Sequence, residues 1–160
     1  MRIYYKPIGV IHTPFTKPEG MPIQAAGATG SLGRVELLPE FAEGLKDLDG
    51  FSHIILLYHF HRCAQVRLTV TPFLDSRPRG LFATRAPSRP NAIGLSVVEL
   101  LAVNRNTLDV ANVDVLDTTP LLDIKPYVPQ FDCWDAKRVG WLEGVEERTG
   151  EWRADSRFTR

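Results

Sequence analysis

Apolar and polar residues alternate with a period of two along several short stretches of the chain, a pattern typical of half-buried β-strands. In "VRLTVTP" (66–72) the apolar side chains share one face, which predicts an antiparallel strand with one solvated face. "FSHIILLYHFH" (51–61) is apolar on both faces and predicts a buried central strand. "IGLSVVELLAV" (93–103) and "TLDVANVDVL" (107–116) flank the turn residues "NRN" and predict a β-hairpin.

Two further strands and one helix complete the pattern. "IYYKPIGVIHTPF" (3–15) is apolar, with Pro7 indicating an edge position or a bulge, and "RVELL" (34–38) predicts another strand. "PEFAEGLKDLDG" (39–50) predicts a short helix, because Pro39 suits a first turn and one face is apolar. Many short strands and a single good helix predict a mainly β fold, either a barrel or a sandwich.

The end of the chain follows a different pattern. Trp134, Trp141 and Val145 would line one face of a helix, whereas the glycines between them oppose a helix. We therefore predict one β domain over residues 1–132 and an irregular or helical tail over residues 133–160.

Composition narrows the class of protein. The chain has 160 residues with 44% hydrophobic content and zero net charge, which is typical of one globular domain and argues against sequence-blind coating of nucleic acid or membranes. The first residues lack a long apolar run, so we expect no signal peptide, no membrane span and a cytoplasmic protein. Cys63 and Cys133 lack a metal-like spacing and are expected to be reduced, buried thiols, with a disulfide as the alternative.

Fixed positive charge is concentrated in one stretch. Residues 75–91 contain four arginines and one aspartate, a local charge of +3, and Pro87 and Pro90 stiffen this stretch because each fixes its own φ. A guanidinium suits a carboxylate or a phosphate, so this is a candidate anion-binding loop. The alternative is a solvated loop whose arginines pair with acids elsewhere.

Three histidines of the predicted central strand have the same parity and share one face: His53, His59 and His61. A metal pair is conceivable, but the sequence offers no third ligand, and we expect no metal site. The alternative is histidines that are bonded by their neighbours in the fold. His61 lies at the strand end, where a barrel would open, and is expected to contact a ligand.

A second dense motif is "DVLDTTPLLDIKPYVP" (114–129). It begins with a turn sequence: Asp117, Thr118, Thr119 and Pro120. Polar residues of the same parity follow: Asp123, Lys125 and Tyr127. Taken alone, the motif predicts a structural turn and an edge strand. The sequence contains no Ser-His-Asp pattern, Walker loop or Gly-x-Gly-x-x-Gly motif, so ordinary nucleotide-binding folds lack support.

The two motifs together resemble those of a known family. "GLFATRAPSRPNAIGLSVVEL" followed by "LDTTPLLDIKPYVP" closely resembles the TsaA-like (TrmO) family of S-adenosylmethionine-dependent methyltransferases, which methylate N6 of threonylcarbamoyl-adenosine next to the anticodon in tRNA. The resemblance covers residues 8–129 and includes "IGVIHTPF", "FSHIILLYHFH" and "MPIQ". It implies a small antiparallel β-barrel, S-adenosylmethionine as cofactor, tRNA as partner and a homodimer.

The resemblance also implies the cofactor site residue by residue. The positions that match the family's cofactor contacts are Gln24, Ala25, Ala26, His61, Arg62, Arg85, Leu95, Asp117, Thr118, Thr119 and Pro120. This sequence departs from the family pattern at Ala92, where bacterial relatives often have proline.

The chemistry of methyl transfer suits these residues. Arg85 suits the cofactor carboxylate or, alternatively, an RNA phosphate, and Asp117 or the Thr118 hydroxyl suits a ribose hydroxyl or the ammonium group. The sulfonium is already activated, so catalysis needs mainly in-line positioning of the attacking nitrogen. The exocyclic nitrogen of adenine is a poor nucleophile, and an acceptor for its proton would help. Asp123 or a backbone carbonyl is the candidate acceptor.

We predict tRNA contacts from four residues: Arg89, Asn91, Lys125 and Tyr127. Arg89 would contact phosphate, and Tyr127 would stack on a base. Because prolines stiffen the loop, replacement of Arg85 or Arg89 by alanine is expected to preserve its shape, and Arg89→Ala to leave cofactor affinity nearly intact. Two other functions stay open, a non-enzymatic RNA-binding barrel and a methyltransferase of the same fold that acts on a small metabolite.

Overall fold

The wall of the molecule is a closed β-barrel. The computed structural model describes residues 2–23, 27–144, 153–155 and 158, and these form eight strands: β1 (Gly9–His12), β2 (Leu32–Leu37), β3 (His53–His59), β4 (Thr69–Val70), β5 (Arg79–Gly80), β6 (Ile93–Asn104), β7 (Thr107–Ala111) and β8 (Thr119–Pro126). Six of them close in the order β1-β2-β7-β6-β3-β8, and each neighbouring pair is antiparallel. The predicted mainly β antiparallel barrel is confirmed.

The predicted central strand and hairpin are present. β3 pairs with β6 from His53↔Glu99 to His59↔Ile93, and on its other side with β8. The β6–β7 hairpin turns at residues 105–106, and the Asn106 side chain donates a 2.7 Å hydrogen bond to the Leu37 carbonyl, which joins the turn to β2. The barrel wall is therefore continuous around these strands.

Side chains from alternate positions fill the barrel. In β3, Ile54, Leu56 and Tyr58 are buried, whereas Ile55 and Leu57 on the other face are half-buried. The prediction that both faces of this strand are buried was wrong, because the outer face of a barrel strand meets only loops and solvent. Each of the six barrel strands contributes at least one large, fully buried side chain to the core. β4 and β5 lie outside the barrel.

Several local predictions were wrong. The predicted helix over residues 39–50 is two short 3₁₀ segments, Pro39–Leu45 and Leu48–Gly50, separated by Asp47 in the left-handed region at φ 66°. A left-handed residue cannot continue a right-handed helix, which explains the break.

The segment over residues 66–72 contributes only the two-residue strand β4, paired with β5, while Val66 and Leu68 are 56% and 65% exposed. The segment lies outside the barrel sheet, so Val66 and Leu68 have no inner face to pack against. Val70 is buried in a separate small cluster. The first strand covers only Gly9–His12, and β8 is not an edge strand, because it pairs with both β1 and β3 to close the barrel.

The antiparallel order places three connections at the same end of the barrel, which we call the mouth. β1, β3 and β7 end there, and β2, β6 and β8 begin there. The mouth loops are residues 13–31, 60–92 and 112–118. Residues far apart in the sequence therefore meet at one rim.

The tail packs against two mouth loops. The Trp141 indole donates a 2.8 Å hydrogen bond to the Ala83 carbonyl, and Phe158 packs against a small cluster of Val70, Leu81 and Ala86. Ala154 exchanges two 2.8 Å backbone hydrogen bonds with residues 20–21.

The described part of the tail is irregular rather than helical, which was one of the two alternatives predicted for it. One helical turn, α1 (Pro129–Asp132), comes directly before the tail, and the tail itself contains a 3₁₀ turn, Gly140–Leu142. Trp134 is 83% exposed, so it shares no packed helical face with Trp141, and Val145 lies outside the described residues. Within the described ranges, no helix is both long and apolar enough to cross a membrane.

Candidate functional site at the barrel mouth

Most residues of the predicted cofactor site gather at the mouth. His61, Arg62 and Arg85 belong to the 60–92 loop, the Asp117–Pro120 turn spans the 112–118 loop and the start of β8, and Leu95 lies two residues into β6. Leu95 is 49% exposed on the outer wall next to the rim. Gln24, Ala25 and Ala26 belong to the 13–31 loop but lie outside the described residues.

The turn at the start of β8 is held by the end of β1. The Thr13 amide donates a 3.1 Å hydrogen bond to Asp117 Oδ1, and His12 Nδ1 lies 3.5 Å from the same oxygen. Thr118 adopts a left-handed conformation with φ 61°, and its hydroxyl donates a 2.6 Å bond to the Asp117 carbonyl. A threonine with positive φ is strained, and such strain clusters at functional sites. The turn presents the exposed Thr118 side chain at the rim.

His61, next to the rim, has a buried ring nitrogen without a hydrogen-bond partner among the described residues. Its Nδ1 lies 3.5 Å from Thr119 Oγ1, and the Thr119 hydroxyl donates its proton to the Leu116 carbonyl at 2.7 Å. This favours the tautomer in which Nδ1 carries the proton, and leaves Nε2 as an acceptor. Nε2 is buried, and no described residue bonds it. Burial, with the nearby charges of Arg62 and His59, lowers the pKa of His61, so the ring is neutral at pH 7.

Arg89 shapes the loop that carries Arg85. Its Nη1 donates to the carbonyls of Thr84 at 2.9 Å and Ala86 at 3.3 Å, and its guanidinium lies 5.6 Å from the centre of the Phe82 ring. The expectation that prolines rather than arginines shape this loop was therefore wrong, because two carbonyls on either side of Arg85 bond the Arg89 side chain. Arg85 itself is exposed.

A buried chain of hydrogen bonds that the sequence did not predict lies just inside the mouth. The Tyr58 hydroxyl is 3.0 Å from Ser96 Oγ, and Ser96 Oγ donates a 2.5 Å hydrogen bond to Asp114 Oδ1. Burial raises the pKa of Asp114, against the opposing effects of the Ser96 hydrogen bond and the Arg85 charge. The available signal was a serine at an inward position of the otherwise apolar β6 and an aspartate among the apolar residues that follow β7.

Three other predicted residues lie away from the rim. Asp123 opposes Leu57 on the outer wall, and its carboxylate pairs with Lys125 Nζ at 2.7 Å. Tyr127 lies beside His53 at the opposite end of the barrel, eight residues from the start of β8 and thus about 25 Å from the mouth. The structure does not bring these residues together with the mouth residues within one subunit. Asn91 is exposed in the 60–92 loop, two residues before β6.

The rim combines an anion-binding group with several acceptors. Arg85 carries a fixed positive charge, Asp117 offers a carboxylate oxygen, and His61 Nε2 is a buried acceptor without a partner in the described chain. Such a set suits a small zwitterion that has its own hydroxyl and amino donors. The described residues contain no group of three or more His, Cys, Asp or Glu side chains that could hold a metal ion.

Comparisons with known proteins point to one family. A family model described as the tRNA-methyltransferase O N-terminal domain matches residues 10–133. A probable S-adenosyl-L-methionine-binding protein of Pyrococcus abyssi is 53% identical over 158 residues, which cover 99% of this chain and 86% of that protein. A mouse protein named tRNA (adenine(37)-N6)-methyltransferase is 34% identical over 134 residues, covering 79% of this chain and 31% of that protein.

The fold points the same way. The crystal structure of TrmO from Pseudomonas aeruginosa superposes with a TM-score of 0.75 at 39% sequence identity, covering 88% of this chain and 63% of that one. The chain thus spans less than two thirds of that solved protein. The family match covers more than half of the chain and includes all of the barrel except the first residue of β1. The chain belongs to the tRNA-methyltransferase O (TrmO) family.

Proposed function

We propose that this protein is an S-adenosylmethionine-dependent methyltransferase that methylates N6 of threonylcarbamoyl-adenosine next to the anticodon in tRNA. The observation that carries the proposal is the convergence of His61, Arg85 and the Asp117–Pro120 turn at one barrel mouth. Membership of the TrmO family and the printed activity of the mouse relative support the substrate.

The rim fits the cofactor. The buried His61 Nε2 lacks a partner among the described side chains and would accept a hydrogen bond from a ribose hydroxyl or the ammonium group. Arg85 would pair with the carboxylate, and Asp117 or Thr118 would take the other polar group. Leu95, exposed beside the rim, offers an apolar contact for the adenine. Gln24, Ala25 and Ala26 are assigned to the same site by resemblance.

The chain contributes mainly positioning to the reaction. The bound cofactor supplies an activated methyl group on its sulfonium. The Arg89 bonds to Thr84 and Ala86 hold Arg85 before binding, which reduces the ordering entropy lost when the carboxylate pairs with it. Neutral His61 accepts a hydrogen bond without placing a second positive charge near the sulfonium. These residues therefore orient the methyl group toward the attacking nitrogen.

For tRNA, the mouth provides exposed cationic groups. Arg62 and Arg85 are exposed, and the 75–91 stretch has a local charge of +3. We assign Arg89 and Asn91 to the RNA surface, with Arg89 contacting phosphate through the part of its guanidinium that does not bond the loop. Lys125 and Tyr127 remain predictions, which require the RNA to reach the opposite end of the barrel.

We further propose a cytoplasmic homodimer with the cofactor site close to the subunit interface. Ile93 and Leu95 expose apolar side chains, 38% and 49% respectively, on the outer wall next to the rim. A partner subunit covering this wall would enclose the cofactor more fully than one barrel does. Light scattering at micromolar protein concentration should give twice the monomer mass, and a monomer would count against this arrangement.

The test of the function is a methylation assay on tRNA with and without the threonylcarbamoyl group, read by nucleoside mass spectrometry. We expect one added methyl group only on the modified tRNA, and loss of it in Arg85→Ala. The control is Arg105→Gly, which removes the same charge at the opposite end of the barrel, where φ is 56° and suits glycine. Cofactor binding by calorimetry without methylation of either tRNA would favour a small-metabolite substrate, and no cofactor binding would favour an RNA-binding barrel.

A further inference from the structure

Asp114 ends a buried chain of hydrogen bonds that none of the cofactor contacts above requires. It lies in the 112–118 mouth loop, and its side chain accepts the 2.5 Å bond from Ser96 of β6. Ser96 is in turn 3.0 Å from the Tyr58 hydroxyl of β3. Tyr58 and Ser96 are buried at 5% and 3% exposure, whereas Asp114 is only half-buried. The chain therefore runs from the barrel interior to a half-buried carboxylate in a mouth loop.

The direction of the hydrogen bonds is determined by proton counting. A serine hydroxyl has one proton, and Ser96 donates it to Asp114. The Tyr58 hydroxyl must then be the donor in its contact with Ser96. Both hydroxyls therefore point their protons toward the carboxylate, which is the arrangement that supports a negative charge on Asp114.

The geometry around Tyr58 is rigid. A Cβ built on Gly94 would lie 2.2 Å from Tyr58 Cε2, so the ring packs directly on bare backbone. Phe60 contacts the same ring edge-to-face at 5.5 Å between centroids. The phenol can hardly move, and it holds Ser96 and Asp114 in turn.

The titratable groups that face Asp114 are Tyr58 of β3 and Arg85 of the 60–92 loop. Burial raises the pKa of Asp114, and the Arg85 charge and the Ser96 bond oppose that rise. Burial and the Asp114 charge raise the pKa of Tyr58, which stays a neutral donor. A carboxylate with a raised pKa is a better proton acceptor than an ordinary surface aspartate.

We propose that Asp114 is the group that accepts the proton of the attacking N6 nitrogen, an inference that rests on the proposed function. The nitrogen–methyl bond forms while the sulfur–methyl bond breaks and its electron pair stays on sulfur. The N–H electron pair stays on nitrogen, and the proton goes to an Asp114 carboxylate oxygen, from which water removes it after product release. Arg85, which binds the cofactor beside it, brings the methyl donor and the proton acceptor to the same rim.

Asp114 suits this role better than Asp123, the acceptor expected from the sequence. Asp123 lies opposite Leu57 on the outer wall, away from the rim, and its carboxylate pairs with Lys125 Nζ at 2.7 Å. Asp114 instead lies in a mouth loop, where burial raises its pKa despite the nearby Arg85 charge. Its half-buried site also limits competition from water.

The experiment measures single-turnover methylation of threonylcarbamoyl-tRNA, with saturating cofactor, across acidic and neutral pH. The variants are Asp114→Asn, Ser96→Ala and Asp123→Asn. Asp109→Asn is the matched control, because Asp109 of β7 accepts a hydrogen bond from Arg34 of β2 on the outer wall. For each variant, calorimetry measures cofactor affinity and thermal melting checks that the protein is folded.

We expect Asp114→Asn to bind the cofactor and lose roughly 10²–10⁴-fold in rate, the usual contribution of a general base. In Ser96→Ala the acidic limb of the rate profile should move to higher pH, because the lost hydrogen bond no longer lowers the pKa of Asp114. This shift keeps the inference testable if Asp114→Asn does not fold.

Wild-type rates in Asp114→Asn, or an unmoved acidic limb in Ser96→Ala, would overturn the inference and leave the proposed function intact. A loss in Asp123→Asn instead would return the role to Asp123. A wild-type protein that binds cofactor but methylates no tRNA would overturn the proposed function itself, and the inference with it.

Discussion

Gly94 shows how closely the mouth is packed around one aromatic ring. A Cβ at this position would lie 2.2 Å from Tyr58 Cε2 and 2.9 Å from Phe60 Cζ. We predict that Gly94→Ala destabilises the protein by about 1–3 kcal/mol, the usual cost of overpacking a core. Urea unfolding measures the change in the free energy of unfolding. Gly80→Ala is the control, because a Cβ there meets no atom within 4 Å, and an equal loss in both variants would contradict the packing argument.

His61 should make stability depend on pH. Its pKa is lowered from an ordinary value of 6.5, chiefly by burial. As the pH falls below about 6.5 the unfolded chain therefore takes up a proton before the folded protein does, and the free energy of unfolding falls. We predict a shallower decline in His61→Gln than in the wild type, measured by urea midpoints at several acidic pH values. His53→Gln, changed at the opposite end of the barrel, should retain the wild-type slope.

At the scale of one element, the 82–90 loop contains both the proposed cofactor-binding residue, Arg85, and the residue that holds the loop conformation, Arg89. Arg85→Ala should weaken cofactor binding by about 2–5 kcal/mol, the range for truncating one partner of a charge pair that binding buries. Arg89→Ala should weaken it less, but still measurably, because the loss of two carbonyl bonds frees the loop. This replaces the expectation of nearly intact affinity. Calorimetry measures both variants, and hydrogen exchange of the Thr84 and Ala86 amides should accelerate only in Arg89→Ala.

The same pair of variants tests the RNA contact. Arg89→Ala should reduce the slope of log tRNA affinity against log salt by about 0.7–0.9, the value for one phosphate contact. Arg85→Ala should leave that slope unchanged if its charge serves the cofactor. If only Arg85→Ala altered the slope, the two roles would have to be exchanged.

At the scale of the whole molecule, the described residues form two separate apolar clusters. One fills the barrel, and the other joins Val70, Leu81 and Ala86 to Phe158 of the tail. Phe158 also contacts Phe73 edge-to-face at 5.1 Å. The described tail residues therefore pack on the mouth loops of the domain proposed over residues 1–132, and the domain boundary itself stays a prediction.

We predict that Phe158→Ala loosens the mouth without unfolding the barrel. Amides of residues 70–86 should exchange faster, and cofactor affinity should fall, while the main thermal transition shifts by only a few degrees. Phe131→Ala is the control, because Phe131 is 72% exposed at the opposite end of the barrel. A large drop of the main transition in Phe158→Ala would mean that the two clusters unfold as one unit.

The sequence by itself determined the mainly β class, the β6–β7 hairpin, the β3 strand and the family. Period-two alternation is local, and it survives in any fold that gives a strand one inner and one outer face. The motifs around Arg85 and the Asp117–Pro120 turn are local as well, so the mouth residues could be assigned by resemblance before their positions in space were known.

Only the tertiary structure decided which residues meet. Barrel closure made β8 an interior member of the sheet rather than an edge, and left residues 66–72 outside the sheet, where Val66 and Leu68 are exposed and Val70 packs in the second cluster. It also joined Tyr58, Ser96 and Asp114 from three elements into one hydrogen-bonded chain, and it placed Asp123 on the outer face of β8. The physical reason is that strand pairing and burial are contacts between segments distant in the chain, which no local pattern of polarity encodes.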